Sequence, residues 1–572
     1  MADTFYELCN VTEIASAEAL TIPRARALFN AIERHRDYSI VQLLQQTKDG
    51  APTIECLIVD VECDGVPSKN QFGIAYRERL ALCVPSDPKR LIDVLALRRD
   101  FPELMHLNQG LPGAPASLCL YFESPAAVLR TWTPPAFLRR IQWWLERSAR
   151  GELHPADQPV EQMFFASQYE LILPWNYAKL REDLSARFVV FKGPERPNGG
   201  FTCYMEAVSG AVADAKTAAH IDLLLPPVTH GFIEHNPGTL GELSDILGKR
   251  SVDLIGLLRD MIQTKVDEKG AIESPDDKAT VIVVLIPIRR SAEADPDGIM
   301  RRAFFVPSGI VEVGIATGAL FKYDGRYFRD STNSEPTTAW RDLPVLLMDV
   351  LTKNDGASAR RQSAVLEEGP TGVLVGAGSL GSALLNLWGR SGFGRWSVID
   401  DDHIKPHNLS RHVAFAQHIG QAKATVVAEL HDATMEGATR IAPITADASD
   451  FSQQPVAQVL NVASLVVDAS TTLEYPRAAS ANDALPRHCS TFVTPDGNGA
   501  VLLMEDVKRS QRLRTLEAQY YREIIQCKRL PTTPVSHRSD LLRCAPVFNG
   551  AQRWSAIRSF GRATWRHGRA VA

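Results

Sequence analysis

The sequence has 572 residues, of which 45% are hydrophobic and 23% are charged, and its formal net charge is −5 at pH 7. This composition is typical of a globular protein, and the length predicts about three domains rather than one core. The slight acidic excess gives no electrostatic reason to expect direct nucleic-acid binding. No apolar run approaches the roughly 18–20 residues that a membrane helix needs, so we expect no membrane association.

The start of the sequence and the cysteines both indicate a cytoplasmic protein. "MADTFYELCNVTEIASAEA" lacks the basic segment and apolar stretch of a secretion signal. The nine cysteines are scattered and include no C-x-x-C pair, which indicates reduced thiols and argues against a zinc ribbon.

Residues 1–165 are predicted to form an α+β domain. A helix is expected at 20–37, strands at 53–63 and 70–85, and an amphipathic helix at 134–149, which begins with prolines. Between them, Cys119 lies in a short apolar run of "MHLNQGLPGAPASLCLYFESPAAVLRTWTPP". From these residues alone, Cys119 can be either a core thiol or an exposed nucleophile.

Residues 166–365 are predicted to form a second α/β unit. Strands are expected at 186–193, 219–227, 280–288 and 309–321, with a helix at 251–266. The segment 353–370 is interpreted as a charged linker. No catalytic constellation is recognised in this region.

Residues 366–572 begin with the pattern strand, glycine turn, helix, strand, which is a βαβ unit. Gly376, Gly378 and Gly381 form G-x-G-x-x-G between the first strand and the helix. Glycines at this position let a phosphate approach the helix N-terminus, and Asp400 follows the second strand where an acid meets a ribose hydroxyl. A nucleotide site is predicted, and NAD and ATP both remain open at this point.

The residues after Asp400 favour ATP. Asp402, Asn408, Arg411 and Lys423 follow within one short segment. Hydride transfer builds no charge on phosphate, whereas in-line attack on an α-phosphorus spreads negative charge that cations and amide donors stabilise. The group therefore predicts adenylation.

The pattern "GAGSLGS…VIDDD…NLSRHV…GQAKA" resembles the ThiF/MoeB/ubiquitin-activating adenylation domain. The resemblance implies a Rossmann-like fold and ATP with Mg²⁺ as cofactors. It also implies that Asp400 binds the ribose and that Asn408, Arg411 and Lys423 surround the triphosphate.

A later family motif, D-x-T-D-N, corresponds to "VVDASTT" in this sequence. Asp468 matches its first acid, while Thr471 stands in place of the second, which the family links to magnesium. With that acid replaced, Asp468 or Asp402 is predicted to take over the role of metal ligand, and Asp468 is the residue that we assign to the metal.

The same resemblance implies a thiol that captures the acyl-adenylate. Cys489, Cys527 and Cys544 are the candidates, and we favour Cys544, then Cys527, then Cys489. Arg543 next to Cys544, with His537 nearby, would favour its thiolate.

The segment around Cys119 is similar to the ubiquitin-conjugating pattern, H-P-N, then apolar-Cys-Leu, then W-x-P. His106 and Asn108 match the first motif, Cys119 the thioester cysteine, and Trp132 and Pro134 the last. Leu107 replaces the proline, and the gaps around the cysteine are longer than usual. The similarity implies that Asn108 stabilises an oxyanion and that His106 holds the loop rather than acting as a base.

The two resemblances together predict an α/β multidomain protein. Its parts are an N-terminal α+β ubiquitin-conjugating-like domain, a central α/β connector or degenerate adenylation-like domain, and a C-terminal Rossmann-like adenylation domain. This order resembles bacterial conjugating–activating fusions of CBASS anti-phage and ubiquitin-like operons. It implies that the substrate is the carboxyl end of a cyclic-oligonucleotide synthase or a ubiquitin-like protein, with an amine acceptor. The resemblance to the adenylation family implies a homodimer.

Two alternatives stay open. One is an NAD-dependent oxidoreductase with a regulatory N-terminal domain, which leaves the cations after Asp400 unexplained. The other is a nucleotide-sensing scaffold whose thiols are inert.

Overall fold

The structure, a computed structural model, describes residues 4–526 with short gaps, and residues 527–572 lie outside its described part. The gaps are 111–112, 155–157, 184–186, 209–216, 268, 270–271, 273–277, 331–337, 438–439 and 495–498. The chain divides into two compact units, Met1–Thr352 and Lys353–Ala572. Among the helices described, none is long and apolar enough to cross a membrane.

The first unit begins with a six-stranded antiparallel meander whose strands follow chain order. The strands are β1 Thr12–Glu13, β2 Tyr38–Lys48, β3 Ala51–Glu62, β4 Arg77–Pro85, β5 Asp93–Ala96 and β6 Ala116–Ser117. The accompanying helices are α1 Pro23–Ile32, α2 Pro125–Thr131 and α3 Pro134–Arg150.

The predicted amphipathic helix at 134–149 is confirmed as α3. Thr133 caps its first turn by accepting a hydrogen bond from Ala136 N, and Gly151 ends it with a left-handed φ of 68°. Phe137, Ile141 and Trp144 recur at helical spacing and are buried against the meander. Leu118 and Leu120, the two neighbours of Cys119, belong to the same buried cluster, so this packing holds the segment that carries the cysteine.

The predicted strand at 70–85 is shorter than expected because its first half is a loop. Gly73 has a left-handed φ of 77°, and the Asn70 side chain bonds the carbonyl oxygens of Pro67 and Ile74. These local bonds replace ladder pairing, so β4 begins only at Arg77.

The rest of the first unit is built on a mixed eight-stranded sheet with four helices and a separate hairpin. The strands are β7 Tyr169–Leu173, β8 Arg187–Glu195, β9 Phe201–Val208, β10 Thr217–Leu224, β11 Val228–Thr229, β12 Thr280–Arg289, β13 Gly298–Val306, β14 Leu320–Tyr323, β15 Arg326–Arg329 and β16 Leu346–Thr352. The helices are α4 Tyr177–Leu180, α5 Leu240–Gly248, α6 Leu254–Thr264 and α7 Ile310–Ala316.

This sheet closes on itself because β10 pairs with both β8 and β12. One core cluster includes Leu171, Cys203 and Val283 from the strands. A second cluster packs the other face of the strands against α5 and α6, and it includes the fully buried Leu243 and Leu258. The closed sheet differs from the open sheet of the second unit.

The prediction of a strand at 309–321 is wrong, because residues Ile310–Ala316 form helix α7. Ile310, Val313 and Gly314 are the buried positions, which is a helical spacing, but the run of β-branched residues is typical of a strand. Only the end of the predicted strand, from Leu320, is extended.

The second unit contains a six-stranded sheet in the order β19-β18-β17-β20-β21-β22. Its strands are β17 Thr371–Val375, β18 Arg395–Ile399, β19 Ala442–Ile444, β20 Leu465–Asp468, β21 Arg487–Val493 and β22 Ala500–Met504. Its helices are α8 Gly356–Gln362, α9 Ser379–Arg390, α10 Lys423–Asp432, α11 Gln454–Val462, α12 Glu474–Ala481 and α13 Leu513–Gln526. All strands are parallel except β22.

In chain order this is the 3-2-1-4-5-6 arrangement of a doubly wound sheet. The strand order reverses between β17 and β20, which opens a crevice at the carboxyl ends of these two strands. Separate core clusters cover the two faces of the sheet.

The interpretation of 353–370 as a charged linker is wrong for its first half. Helix α8 lies there, and Asp355 caps it by accepting a hydrogen bond from Ser358 N at 2.7 Å.

Candidate functional site

The glycine turn after β17 shows three different uses of glycine. Gly376 has a left-handed φ of 90°, and a Cβ there would lie 2.6 Å from the backbone of Ser470. A Cβ on Gly381 would overlap the carbonyl oxygen of Gly376. Gly378 instead faces open space at the start of α9, so a ligand can approach its backbone.

A cleft of about 1080 Å³ lies at this turn, where the doubly wound sheet reverses. The predicted site residues that line it are Gly376, Gly378, Asp400, Asp402, Arg411 and Lys423. Segments after β19 and β20 form its opposite wall. The fold therefore brings most of the predicted nucleotide residues together.

Asp400 holds the glycine turn as well as lining the cleft. One carboxylate oxygen accepts a hydrogen bond from Ala377 N at 2.6 Å, and the other accepts one from Asp402 N at 2.9 Å. The carboxylate keeps lone pairs for a ligand, because each oxygen can accept more than one bond.

Lys423 and Asp402 form an ion pair at the cleft, with Lys423 Nζ 2.6 Å from Asp402 Oδ2. Lys405 approaches the other oxygen of Asp402 at 3.1 Å. The hydrogen bond from Lys423 is the largest cause that lowers the pKa of Asp402 well below its usual range. The carboxylate is therefore ionised and orients the buried Lys423.

Asn408 and Arg411 are placed differently from each other. Asn408 Oδ1 accepts a hydrogen bond from Lys405 N at 2.8 Å, and Asn408 does not line the cleft. Arg411 lines the cleft with an exposed side chain, while its carbonyl oxygen accepts a hydrogen bond from Ser379 Oγ at 3.2 Å. Asn408 shapes the loop, and Arg411 offers a cation.

His412 is a site residue that the sequence analysis missed. Its Nδ1 accepts a hydrogen bond from Ala414 N at 3.0 Å, so Nε2 carries the proton and donates it to Ala377 O at 2.7 Å. Burial lowers the pKa of His412, which favours this neutral form. Its position directly after Arg411 is the only signal in the sequence.

Asp468 lies at the end of β20 but does not line the cleft. Its side chain is buried, one oxygen accepts hydrogen bonds from Ser470 N and Oγ, and the other accepts one from Ser490 Oγ at 2.6 Å. Burial raises its pKa. Three hydrogen bonds therefore hold the Asp468 carboxylate, two of them from Ser470, which lines the cleft, and its role as a magnesium ligand stays a prediction.

Thr471, in the position of the second acid, lines the cleft with a left-handed φ of 61°. A β-branched residue rarely adopts this conformation, and such strain is concentrated at functional sites.

Of the three candidate thiols for the first thioester, the structure describes Cys489. Cys489 is buried on β21, and burial raises the pKa of its thiol to about 12, so it is a core residue. Cys527 and Cys544 lie outside the described residues.

Two short segments of the first unit pair with each other: the H-x-N arm, residues 106–108, and the cysteine arm, residues 117–119. The Cys119 N–H donates to His106 O at 2.9 Å, and Asn108 N donates to Ser117 O at 2.8 Å. Leu107 and Leu118 form the antiparallel bridge between these bonds. The ladder brings the predicted H-x-N motif directly beside the cysteine.

The Cys119 side chain is half-buried, in contrast to a core thiol. Burial and, next, the negative charge of Glu161 raise the pKa of its thiol. Arg140 on α3 donates to Leu120 O at 2.7 Å and anchors the chain just after the cysteine. Farther along, Trp132 packs on Phe137 and Pro134 begins α3.

Asn108 donates both hydrogens of its side-chain amide within the loop. They bond Ser117 Oγ at 2.9 Å and Leu118 O at 3.1 Å. Ser117 in turn donates to a carboxylate oxygen of Asp93. Asn108 braces the cysteine arm, and it can donate to a substrate only after releasing one of these bonds.

His106 has a left-handed φ of 59° and joins a group that the sequence analysis missed. Its Nε2 lies 3.3 Å from His154 Nδ1 and 3.8 Å from Glu161 Oε1. The ring of His230 also packs on His154, with ring centroids 5.2 Å apart. His106, His154 and His230 are far apart in the sequence, so no local sequence pattern predicts that they come together.

Two protein families match parts of this chain. Prokaryotic E2 family A matches residues 24–183, and the ThiF family matches residues 363–479. The chain joins an E2-type domain to a ThiF-type domain. Both predicted resemblances and the α/β multidomain architecture are thereby confirmed. ThiF-type and E2-type domains carry out activation and conjugation of the ubiquitin-like kind in general, so the chain has the domains of an enzyme.

Solved structures of Escherichia coli proteins show partial similarity. MccB with ATP is 18% identical with a TM-score of 0.24, covering 31% of this chain and 52% of MccB. The tRNA N6-threonylcarbamoyladenosine dehydratase TcdA is 24% identical with a TM-score of 0.21, covering 23% of this chain and 58% of TcdA. The chain thus spans between about half and three-fifths of these structures. No curated protein matches the chain in sequence.

Proposed function

We propose that this chain adenylates the C-terminal carboxylate of a protein with ATP, captures the acyl group as a thioester, passes it to Cys119 and conjugates it to an amine. The observation that carries the proposal is the cleft at the sheet reversal, where Gly378, Arg411 and Lys423 meet, in a chain that also holds Cys119 half-exposed beside Asn108.

The first step is in-line attack of the substrate carboxylate on the α-phosphorus of ATP. A carboxylate oxygen forms the new P–O bond, and pyrophosphate leaves with the electron pair of the broken one. The open backbone at Gly378 receives phosphate, and Arg411 and Lys423 stabilise the charge that spreads over its oxygens. Asp400 faces the ribose from the end of β18.

The next steps transfer the acyl group between nucleophiles. A thiolate attacks the acyl carbon and AMP leaves; the Cys119 thiolate then displaces the first thiol. Finally an amine attacks the Cys119 thioester, loses its proton to solvent and releases the thiolate. Cys544 is the first thiol that the residue pattern favours. An Asn108 N–H would stabilise the oxyanion in the last step.

Magnesium accompanies ATP in the family that the ThiF-type domain resembles. Asp468, the predicted ligand, is buried and already accepts three hydrogen bonds, and Asp402 is engaged by two lysines. We therefore assign magnesium to neither residue and assign no step to the metal.

The partners of this reaction follow from the resemblance to bacterial fusions. The activated protein would be a cyclic-oligonucleotide synthase or a ubiquitin-like protein, the setting anti-phage defence, the compartment the cytoplasm and the assembly a homodimer. Residues 166–365 would connect the two catalytic domains.

The test is ATP–pyrophosphate exchange by the full chain, with and without a partner protein that ends in a free carboxyl group. Exchange that requires the carboxyl end is the expected result. Reduction of NAD by a small substrate would favour the oxidoreductase, and tight ATP binding without exchange would favour the scaffold. Either of these two results contradicts the proposal.

A further inference from the structure

Three side chains beside the Cys119 loop direct ligand atoms at one point. His106 Nε2, His154 Nδ1 and Glu161 Oε1 lie within 4.8 Å of one another. The separate distances are 3.3 Å between the two nitrogens, 3.4 Å from His154 to Glu161 and 3.8 Å from His106 to Glu161.

These distances match the edges of a metal coordination sphere. A tetrahedral zinc ion with bonds of about 2.0–2.1 Å holds its ligand atoms about 3.3–3.4 Å apart. Two edges of the triangle already have this length, and the third exceeds it by about 0.4 Å, which a rotation of the glutamate side chain removes. Imidazole and carboxylate are also ligand types that zinc takes in proteins.

The group is built into the fold rather than spread over a surface. The His154 side chain is only 6% exposed, and those of His106 and Glu161 are 23% and 20% exposed. The His106 and His154 rings stack, with centroids 5.4 Å apart. His230 Nδ1 accepts a hydrogen bond from Glu161 N at 3.4 Å, which places the glutamate. Outer partners of this kind orient metal ligands.

We propose that His106, His154 and Glu161 bind a zinc-class divalent cation, with the fourth coordination position open to solvent. Three protein ligands and one open position form the arrangement that zinc adopts in reactive sites. The cation would tie the segment after α3 to the H-x-N arm, whose His106 carbonyl oxygen holds Cys119 N. The inference concerns metal binding and stands independently of the proposed conjugation chemistry.

A proton shared among the three groups is the other possible occupant. It would give the same short distances, because an imidazole N–H can bond a second imidazole or a carboxylate. Direct metal binding separates the two.

The experiment is a Zn²⁺ titration of the full-length chain, stripped of metal, in competition with a chromophoric chelator. Wild type should bind one more equivalent of zinc than E161Q and H154Q. Loss of a ligand should weaken the site by more than the 10–100-fold that loss of an outer partner costs, hence by at least about 100-fold. H35Q, which removes another histidine of the same domain beside Asp37, should bind like wild type.

The thermal midpoint gives a second measurement, since a cation that binds only the folded state stabilises it. Zinc should raise the midpoint of wild type and H35Q but not that of E161Q. Glu161 is partly exposed, so E161Q keeps the test usable if H154Q fails to fold. Equal zinc stoichiometry in wild type and E161Q, or no zinc bound by wild type, would overturn the proposal.

Discussion

His412 Nε2 lies 2.7 Å from the carbonyl oxygen of Ala377, so a buried imidazole holds the glycine turn by a hydrogen bond. Asp400 holds the same residue from the other direction by accepting a hydrogen bond from Ala377 N. The glycine turn is therefore held by two side chains that follow β17 in the sequence.

Replacing this imidazole should loosen the turn. His412→Gln should cost about 1–3 kcal/mol of unfolding free energy, because a buried hydrogen-bonded group loses its partner. It should also weaken ATP binding measured by calorimetry. The control is His418→Gln, which removes a buried imidazole bonded to Phe415 N and away from the turn. Equal ATP affinity in both variants would show that the His412 bond does not support the site.

Alanine substitutions at two glycines of the turn should affect ATP binding and thermal stability differently. Gly378→Ala adds a methyl group in open space at φ −73°, so the thermal midpoint should be retained while ATP binding is lost. Gly381→Ala places the methyl group on the carbonyl oxygen of Gly376 and should lower the midpoint. Calorimetry and thermal unfolding of both variants check this contrast, and normal ATP binding by Gly378→Ala would contradict it.

Two lysines that share one partner offer a matched pair. Lys423 and Lys405 both bond Asp402, but only Lys423 lines the cleft. Lys423→Met should lower ATP–pyrophosphate exchange by about 10²-fold or more, as expected for a lost charge-stabilising group. Lys405→Met should leave exchange near the wild-type rate. If the two variants lose exchange equally, the ion pair rather than the cleft charge is responsible.

Much of the lining of the cleft could be predicted because its signals are local. The three glycines follow a strand directly, and Asp400, Arg411 and Lys423 follow at short separations that the doubly wound sheet gathers at one edge. Asp468 shows the limit of this reasoning. Its motif predicts a ligand, but nothing in the motif predicts that the hydroxyls of Ser470 and Ser490 bond the carboxylate.

The cysteine loop was less predictable. The H-x-N motif and Cys119 are ten or more residues apart, and only the ladder between the two arms brings them together. His154 and Glu161 belong to the segment after α3, whose sequence shows no helical or strand periodicity. Their approach to His106 depends on tertiary packing, which a local pattern does not predict. The β-branched residues of helix α7 predict a strand, because such residues are enriched in strands, and tertiary packing overrides this preference.

Acid should destabilise the second unit. Burial lowers the pKa of His488 to about 4, below the ordinary value of 6.5. The unfolded chain then binds more protons than the folded one, so stability is complete above pH 6.5 and falls as the pH drops toward 4. The loss due to His488 should approach about 2–3 kcal/mol. The contribution of His488 is the difference in unfolding free energy between wild type and His488→Gln, measured by urea unfolding at each pH. A difference that does not change with pH would contradict the prediction.

Asn108 should act after Cys119 is loaded. Asn108→Ala should retain the thioester and slow its discharge to free lysine by about 10²–10³-fold, the cost of one oxyanion donor. Ser117→Ala removes one acceptor of the Asn108 amide and frees an N–H. It should discharge close to the wild-type rate. A discharge defect in Ser117→Ala as large as that in Asn108→Ala would assign Asn108 a bracing role only.

The most direct test is to follow Cys119 with the full chain, ATP and a partner protein that has a free carboxyl end. An ATP-dependent, thiol-sensitive adduct should map to the Cys119 peptide by mass spectrometry. It should disappear in Cys119→Ala and persist in Cys9→Ala, which removes an exposed thiol of the same domain. An adduct that Cys119→Ala forms in full, with nothing on the Cys119 peptide of wild type, would contradict the proposed relay.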